Sequence, residues 1–343
     1  MTLSFPSEQR GARILSVGAY RPSNVIPNSA IVEKIDSSDE WIRQRTGIES
    51  RNYASPDESL IDMTEKAART AIARAGLTPE DIDTVIFATI TYPFQAPSAA
   101  TDLTVRLGNT HAAAFDISAA CAGFCYGVGL ANDLVRNRTA NHVLVIGAEK
   151  LSDFTDEYDR ATAFIFADGA GAVVIGPTSD PKDNGIGQTI WGGNSETRDA
   201  IITGTPWTAY KNAKSTEGIK WPVIEQQGQT VFRWAVFEMA PVALKAIEAA
   251  GLTPEDLDAF IPHQANERII DSLAKSMKLP ASVVIARDIR TSGNTSAASV
   301  PLAMDALLAE HPELHSKRAL LIGFGAGLVY AGQVVELPPA PKN

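Results

Sequence analysis

Apolar residues along the chain fall into two patterns. Short continuous runs occur at Val85–Thr89, Val143–Gly147, Gly171–Gly176 and Leu320–Gly323. Unbroken runs of this length belong to strands buried on both faces, so they predict sheets covered by helices on each side. Alanine-rich stretches at Met63–Ala75 and Phe237–Ala250 predict helices.

Both helices run into the same nine residues. Ala75-Gly-Leu-Thr-Pro-Glu-Asp-Ile-Asp83 recurs 175 residues later as Ala250-Gly-Leu-Thr-Pro-Glu-Asp-Leu-Asp258, with eight of nine positions identical and Ile82 exchanged for Leu257. Gly76 and Gly251 take the place just past a helix end, where positive φ is needed. Thr78-Pro79 and Thr253-Pro254 read as the cap and first residue of a short helical turn. Each copy then leads into a short apolar strand, Thr84–Ala88 or Ala259–Pro262. Further on, Val143-Leu-Val-Ile-Gly147 is echoed by Ala319-Leu-Leu-Ile-Gly323.

Two copies in register predict two similar α/β halves packed on each other, and are too few for a solenoid. We place the halves at 1–178 and 179–343. The second opens with a loop excursion at about 179–229, rich in Gly, Pro, Asp, Lys and Thr and carrying Trp191, Trp207 and Trp221. Pro338–Asn343 is expected to fray.

Composition narrows the function classes. The 343 residues are 45% hydrophobic and 20% charged, as in an ordinary globular protein. A net charge of −10, with 30 basic residues dispersed along the chain, argues against a nucleic-acid partner. Two cysteines, Cys121 and Cys125, make no disulfide framework, and their spacing alone is no metal site. The simplest setting is a reducing cytoplasm. The N-terminal residues lack the apolar core of a signal peptide. The small-apolar run 112–131 is interrupted by Asp116 and too Gly-rich to span a membrane.

Candidate chemistry centres on Cys121. An extended stretch, Phe115–Ser118, runs into Ala119-Ala-Cys-Ala-Gly123, which predicts a strand turning sharply into a tightly packed helix. A thiol there sits near the positive end of the helix dipole, which lowers its pKa. In the second half, Gly293-Asn294-Thr295-Ser296-Ala297-Ala298 is again a turn into a small-residue helix. If the two turns meet at the shared interface, Asn294 faces Cys121. His263, in Ile261-Pro-His-Gln-Ala-Asn266, ends a strand, where α/β sheets place ligands. Gly323-Phe-Gly-Ala-Gly327 offers bare backbone N–H groups to an oxyanion hole.

Cys, His and Asn on three such turns suit thioester chemistry: a thiolate takes an acyl group while His and Asn donate hydrogen bonds to an enolate oxygen. Singly, each residue has a plainer reading as packing, structural histidine or turn. Cys125, one helical turn deeper, is assigned to packing. Neither Asp168-Gly-Ala-Gly-Ala172 nor the 323–327 loop continues as GxGxxG, so no nucleotide fold is indicated.

The motifs AACAGF, PHQAN, GNTSAAS and GFGAG, in this order and spacing, closely resemble those of β-ketoacyl-acyl carrier protein synthase III, the initiating condensing enzyme of the thiolase superfamily. The resemblance runs from about Arg13 to Leu337. It implies an α/β thiolase fold, five-layered αβαβα, built from two duplicated halves. The implied activity is that of an acyltransferase. A short acyl-CoA primer undergoes decarboxylative Claisen condensation with malonyl-acyl carrier protein, initiating fatty-acid synthesis. No cofactor and no metal is implied, since CoA thioesters are substrates. The implied partners are acyl-CoA, malonyl-acyl carrier protein and a second copy in a homodimer, with no nucleic acid and no membrane.

Residue by residue, the resemblance makes Cys121 the acyl acceptor, while His263 and Asn294 promote decarboxylation and hold the enolate oxygen. The N–H groups of Cys121 and Ala326 form the oxyanion hole, with Ala326 standing where the family has Gly. Trp41 and Arg160 sandwich the CoA adenine by stacking and cation–π contact, and Arg45 and Asn266 add CoA contacts. Arg233, Arg268 and Lys275 dock the acidic carrier protein. Acetyl-preferring members carry Phe two residues before Ser-Ala-Ala, closing the acyl pocket across the dimer. Ala96 stands there and predicts room for branched or longer primers.

Within the superfamily, a thiolase would need a second active cysteine in the C-terminal half, and an elongating enzyme a His in place of Asn294. An initiating ketosynthase of a specialised polyketide pathway shares the same chemistry. A silent partner subunit would typically have lost its nucleophile.

Overall fold

The continuous apolar runs form strands buried along their whole length: every residue of Thr84–Ala88, Val143–Lys150 and Ala259–Pro262 is buried. The structure, a computed structural model, describes residues 9–180, 183–212 and 221–341. Its strands assemble into two five-stranded sheets and two small ribbons. The first sheet runs in the order Ala12–Tyr20, Asp168–Pro177, Val143–Lys150, Thr84–Ala88, Ala113–Ile117. The second runs Ile190–Gly193, Val329–Glu336, Arg318–Gly325, Ala259–Pro262, Val284–Ile285. In both, the first three strands alternate in direction and the last three lie parallel. Shared order and shared direction are the topological form of the sequence repeat.

The repeated nonamer also repeats its conformation. Gly76 and Gly251 both sit at φ 72, in the left-handed region that favours glycine. Thr78 with Asp81 and Thr253 with Asp256 form matching capping boxes. The helices before them begin earlier than expected, at Leu60 and Gly228. The second spans 22 residues and holds Pro241 in its interior. An interior proline costs about 3 kcal/mol. Val231, Trp234, Ala235, Met239 and Ala243 bury a long stripe that outweighs it.

Five layers result. Helices Leu60–Arg74 and Ala99–Leu107 cover the outer face of the first sheet, and Gly228–Ala249 and Glu267–Ser276 that of the second. Between the sheets lie Gly123–Arg136 and Ser299–Glu310. One apolar cluster fills this middle, from Ile14, Phe124 and Val173 on one side to Ile261, Leu321 and Val335 on the other.

The excursion is not all loop. Ile190–Gly193 is an edge strand of the second sheet, too short and Gly-rich to read from sequence. Ile201–Thr203 pairs with Ile224–Gln226 in a ribbon, and Trp207–Asn212 is helical. The parts of the excursion at 181–182 and 213–220 lie outside the described residues. Of the tail, 342–343 also lie outside, and Pro338 is tied down by the His315 Nδ1 contact to its carbonyl at 2.8 Å.

The halves interlock through a reciprocal pair of glycines. A Cβ at Gly147 would lie 2.1 Å from the carbonyl oxygen of Ala297, in the second half's turn. A Cβ at Gly323 would lie 3.0 Å from Cys121 O and Ala122 Cα, in the first half's turn. The middle strand of each sheet therefore seats the other half's turn. Gly147→Val is expected to cost about 3 kcal/mol or more through overpacking against backbone. Chemical denaturation measures it, and a variant within about 1 kcal/mol of wild type would contradict this packing.

Candidate active site

Cys121 sits in a one-turn helix, Ala120–Ala122, that leads directly into the central helix Gly123–Arg136. Ala120 turns the chain at φ 44. The second half repeats the device: Ser296, at φ 48, opens the turn Ser296–Ala298 before Ser299–Glu310. This equivalence brings the two turns into register. Cys121 has Ala297 as its symmetric counterpart, and Asn294 corresponds to Ser118. Asn294 reaches the site from two residues before its turn. Repeat matching aligned the turns but not the residues within them.

A cavity of about 1420 Å³ brings the candidate residues together: Cys121, His263, Asn294 and the loop Gly325–Gly327 all line it. The glycine loop abuts the cysteine. A Cβ at Gly325 would lie 2.8 Å from Cys121 Cβ and 2.9 Å from its nitrogen, so only glycine allows the strand end this close. Gly327 has φ 132, whereas Ala326 keeps an ordinary negative φ that accommodates its Cβ.

Asn294 is held on three sides. Its N–H donates to Ile165 O at 2.9 Å, its carbonyl accepts from Ala167 N–H at 2.9 Å, and its Oδ1 accepts from Ser296 N–H at 2.9 Å. With Oδ1 engaged, its amide NH₂ is left as the donor for the cavity. His263 is buried, its N–H donating to Ile322 O at 2.7 Å and its ring meeting Phe324 edge-on at 5.3 Å. Its Nδ1 lies 2.6 Å from Ser299 Oγ, which also accepts the Gln264 N–H at 3.3 Å. In the tautomer where the serine hydroxyl donates to Nδ1, the neutral ring carries its proton on Nε2 and presents it as a second donor. Burial drives the His263 pKa down to about 3, so the ring is neutral at physiological pH.

The thiol departs from the sequence expectation. Burial pushes the Cys121 pKa up to about 12, against a lowering hydrogen bond from Ser296, while the nearby charge of Glu149 pushes it further up. Desolvation outweighs the helix end because the turn is enclosed by both halves. Cys125 is fully buried in the central core, as its assignment to packing requires.

At the mouth, Trp41 has the guanidinium groups of Arg45 and Arg160 at 5.3 Å and 5.7 Å from its ring centroid. Ser38 caps the short helix Asp39–Thr46 that presents Trp41 and Arg45. Asn266 caps the helix Glu267–Ser276, accepting from Arg268 N–H at 2.9 Å and donating to Arg45 O at 2.9 Å, so both ends of its amide are engaged. Arg233 and Arg268 also line the cavity, Arg268 lying 5.1 Å from the Phe232 ring centroid. Lys275 lies two turns along the same helix and is not among the lining residues.

Ala96 is exposed and does not line the cavity of its own chain, whereas its neighbours Tyr92, Phe94 and Gln95 do. Asp116 anchors that loop by accepting the N–H groups of Ala99 and Ala100 at 2.8 Å and 2.9 Å. Sequence reasoning missed Asp116, Glu149, Arg198, Ser296 and Ser299. Ser296 and Ser299 stood inside the GNTSAAS motif, where a hydroxyl after a turn was the available signal. Glu149 ended an apolar strand, and a lone carboxylate there was signal enough to notice.

The profile of the family described as 3-oxoacyl-[acyl-carrier-protein] synthase III matches residues 115–195, and that of its C-terminal domain matches 247–337. A β-ketoacyl-[acyl-carrier-protein] synthase III of Streptomyces glaucescens is 56% identical over 328 residues, covering 95% of this chain and 96% of its own. One of Mycobacteroides abscessus is 50% identical, covering 96% and 95%. Among solved structures, the priming β-ketosynthase of the R1128 polyketide pathway is 42% identical with TM-score 0.95 over 100% of both chains. The synthase III of Aquifex aeolicus is 36% identical with TM-score 0.85, covering 95% of this chain and 100% of its own. The chain belongs to the β-ketoacyl-[acyl-carrier-protein] synthase III family and is a condensing acyltransferase with the five-layered thiolase fold.

Proposed function

We propose that the enzyme condenses an acyl-CoA primer with malonyl-acyl carrier protein through an acyl group carried on Cys121, initiating fatty-acid synthesis. The observation that carries this reading is the convergence of Cys121, His263 and Asn294 on one cavity with a glycine strand end against the thiol. The thiolate attacks the thioester carbonyl, the N–H groups of Cys121 and Ala326 hold the oxyanion, and CoA leaves. Malonyl-acyl carrier protein then enters. The Nε2–H of His263 and the amide of Asn294 donate to its thioester oxygen as CO₂ departs. The resulting carbanion attacks the acyl-enzyme, and the ketoacyl product leaves with the carrier. Residues 1–178 supply the nucleophile and residues 179–343 supply both donors, so neither half has a complete site.

Trp41, Arg45 and Arg160 grip the CoA adenine and phosphates, Asn266 backs them by fixing Arg45, and Arg233, Arg268 and Lys275 meet the acidic carrier. On a chain of net charge −10, such a patch works only because it is local. CoA thioesters are the substrates and no further cofactor is used. No described helix is long and apolar enough to cross a membrane.

The experiment is direct. Acyl-CoA alone should release CoA and leave a covalent acyl group, and added malonyl-acyl carrier protein should then give a β-ketoacyl product measured by mass. A silent partner subunit would release nothing. The similarity to the R1128 priming ketosynthase supports one second reading, priming of a polyketide. It predicts that a polyketide carrier protein is preferred over the fatty-acid carrier in competition.

A homodimer is supported by the edge strand Ala113–Ile117, which has no neighbour on its outer side among the described residues. Phe115 on this strand and Val105 on the helix Ala99–Leu107 packed against it are exposed. In that dimer Ala96 of one copy reaches the acyl pocket of the other. Ala96→Phe is then expected to lower kcat/KM for hexanoyl-CoA by about 10- to 100-fold relative to acetyl-CoA. A wild-type enzyme that condensed acetyl-CoA far faster than isobutyryl- or hexanoyl-CoA would remove the case for a widened pocket.

A further inference from the structure

Behind Cys121 lies a buried carboxylate that the scheme above does not use. Glu149 is 0% exposed, at the end of the strand Val143–Lys150. Its Oε2 accepts from Thr89 Oγ1 at 3.0 Å, Thr91 Oγ1 at 2.7 Å and Ile90 N–H at 3.1 Å. Its Oε1 accepts from Ser296 Oγ at 3.2 Å, and the same hydroxyl faces the Cys121 thiol, holding its pKa down against burial. No ion pair neutralises Glu149 among the described residues. Lys150, next along the strand, turns to Ser55 O at 3.3 Å and to Asp153 at 3.8 Å. Of the titratable groups that line the cavity with Cys121, His263 is held neutral and the Asp116 carboxylate is tied to the N–H groups of Ala99 and Ala100. A desolvated carboxylate, one hydroxyl and one thiol thus form a continuous path closed off from other charge.

We propose that Glu149 is the proton partner of Cys121: through the Ser296 hydroxyl it takes the thiol's proton on acylation, stores it in the acyl-enzyme, and returns it when the thiolate leaves. As the Cys121 Sγ–carbonyl bond forms, the thiol proton passes to Ser296 Oγ and the serine's own proton passes to Glu149 Oε1. The carbonyl–sulfur bond of acyl-CoA breaks, and CoA thiolate takes a proton from water at the open mouth. In condensation the new carbon–carbon bond forms and the Sγ–acyl bond breaks. Glu149 then reprotonates Cys121 along the same path. Each turnover consumes one solvent proton, as loss of CO₂ from a malonyl carboxylate requires. Burial supports the role by raising the Glu149 pKa to about 7, where the carboxyl both accepts and releases a proton near neutrality. Glu149 acts through Ser296 and is a positioning residue for the proton, not a group that touches substrate.

This inference rests on acylation at Cys121, and the test separates the two. Wild-type enzyme is mixed with acyl-CoA at about pH 7.5 in weak buffer with a pH indicator, and the acylated residue is identified by peptide mass. The expected result is uptake of most of one proton per acyl group during the loading burst, because CoA leaves as a thiol before the enclosed Glu149 carboxyl, with a pKa of about 7, exchanges the cysteine's proton with solvent. An acyl group on Cys121 without proton uptake overturns the proposal and leaves the nucleophile standing. No acyl group on Cys121 overturns both. A second reading uses Glu149→Gln. Iodoacetamide alkylation of Cys121 should level off above about pH 7 in wild type, because thiol and carboxylate share one proton. In the variant it should keep rising about tenfold per pH unit and acylation should show no proton uptake. Parallel alkylation profiles would also overturn the proposal.

Discussion

Cys121→Ala is expected to abolish acyl-enzyme formation and to lower condensation by about 10⁴-fold or more, the scale seen when a covalent nucleophile is deleted. The fold should tolerate the change. Alanine removes only the sulfur, and the turn already consists of Ala119, Ala120 and Ala122. The contacts of Gly325 with Cys121 Cβ and nitrogen survive, so the oxyanion loop keeps its place. CoA release from acyl-CoA alone and the intact mass of the protein report the effect. Cys125→Ala is the control: it lies in the central core, so it should lose about 1 kcal/mol of packing and retain acylation. A covalent acyl group found on any residue other than Cys121 would refute the assignment.

His263→Ala is expected to spare loading of Cys121 and to slow CO₂ release from malonyl-acyl carrier protein by about 10²- to 10³-fold, the usual cost of one oxyanion donor. The division follows from position. The glycine loop lies against Cys121, where the proposed scheme gives it the loading step. His263 and Asn294 supply the fixed donors that line the rest of the cavity. Release of CoA in a single turnover and release of CO₂ separate the steps. Loss of the CoA burst in this variant would dissolve the division of labour.

The protonation state of His263 adds a pH test. Its folded pKa, about 3, lies below the ordinary 6.5, so the unfolded chain binds a proton that the folded chain refuses between these values. This residue therefore withdraws stability as pH falls from about 6.5 toward 3, while its contribution to decarboxylation stays constant from pH 5 to 8. An inflection near pH 6.5 in wild-type decarboxylation that His263→Gln removes would show that the imidazolium takes part.

Much of the architecture was legible because duplication writes itself twice. The nonamer at 75–83 and 250–258, with its glycine and capping threonine, announced two matching halves. The matching sheet orders are the same statement in three dimensions. The edge strand Ile190–Gly193 was not legible, because four residues with two glycines carry no period. The helix Gly228–Ala249 begins nine residues ahead of the expected Phe237, and its interior Pro241 is outweighed by a long buried stripe. At the site, the motifs located Cys121, His263, Asn294 and the 323–327 loop. Ala96, by contrast, depends on a second chain for any route to a pocket.

By itself the sequence determined local conformation: which segments are strands, where helices stop, and which small residues mark tight turns. These follow from side-chain size, period and backbone freedom, all properties of neighbours along the chain. The tertiary structure decided everything that depends on distant residues. It seated each half's turn on the other half's glycine, at Gly147 and Gly323. It made Ala297 the symmetric counterpart of Cys121, and it set Glu149 behind the thiol beside Ser296. It also reversed the expected shift of the thiol pKa. Desolvation is the reason: a helix end acts on Cys121 from within its own segment, but the thiol, half-buried at the cavity wall, is desolvated in part by strands more than a hundred residues away in sequence.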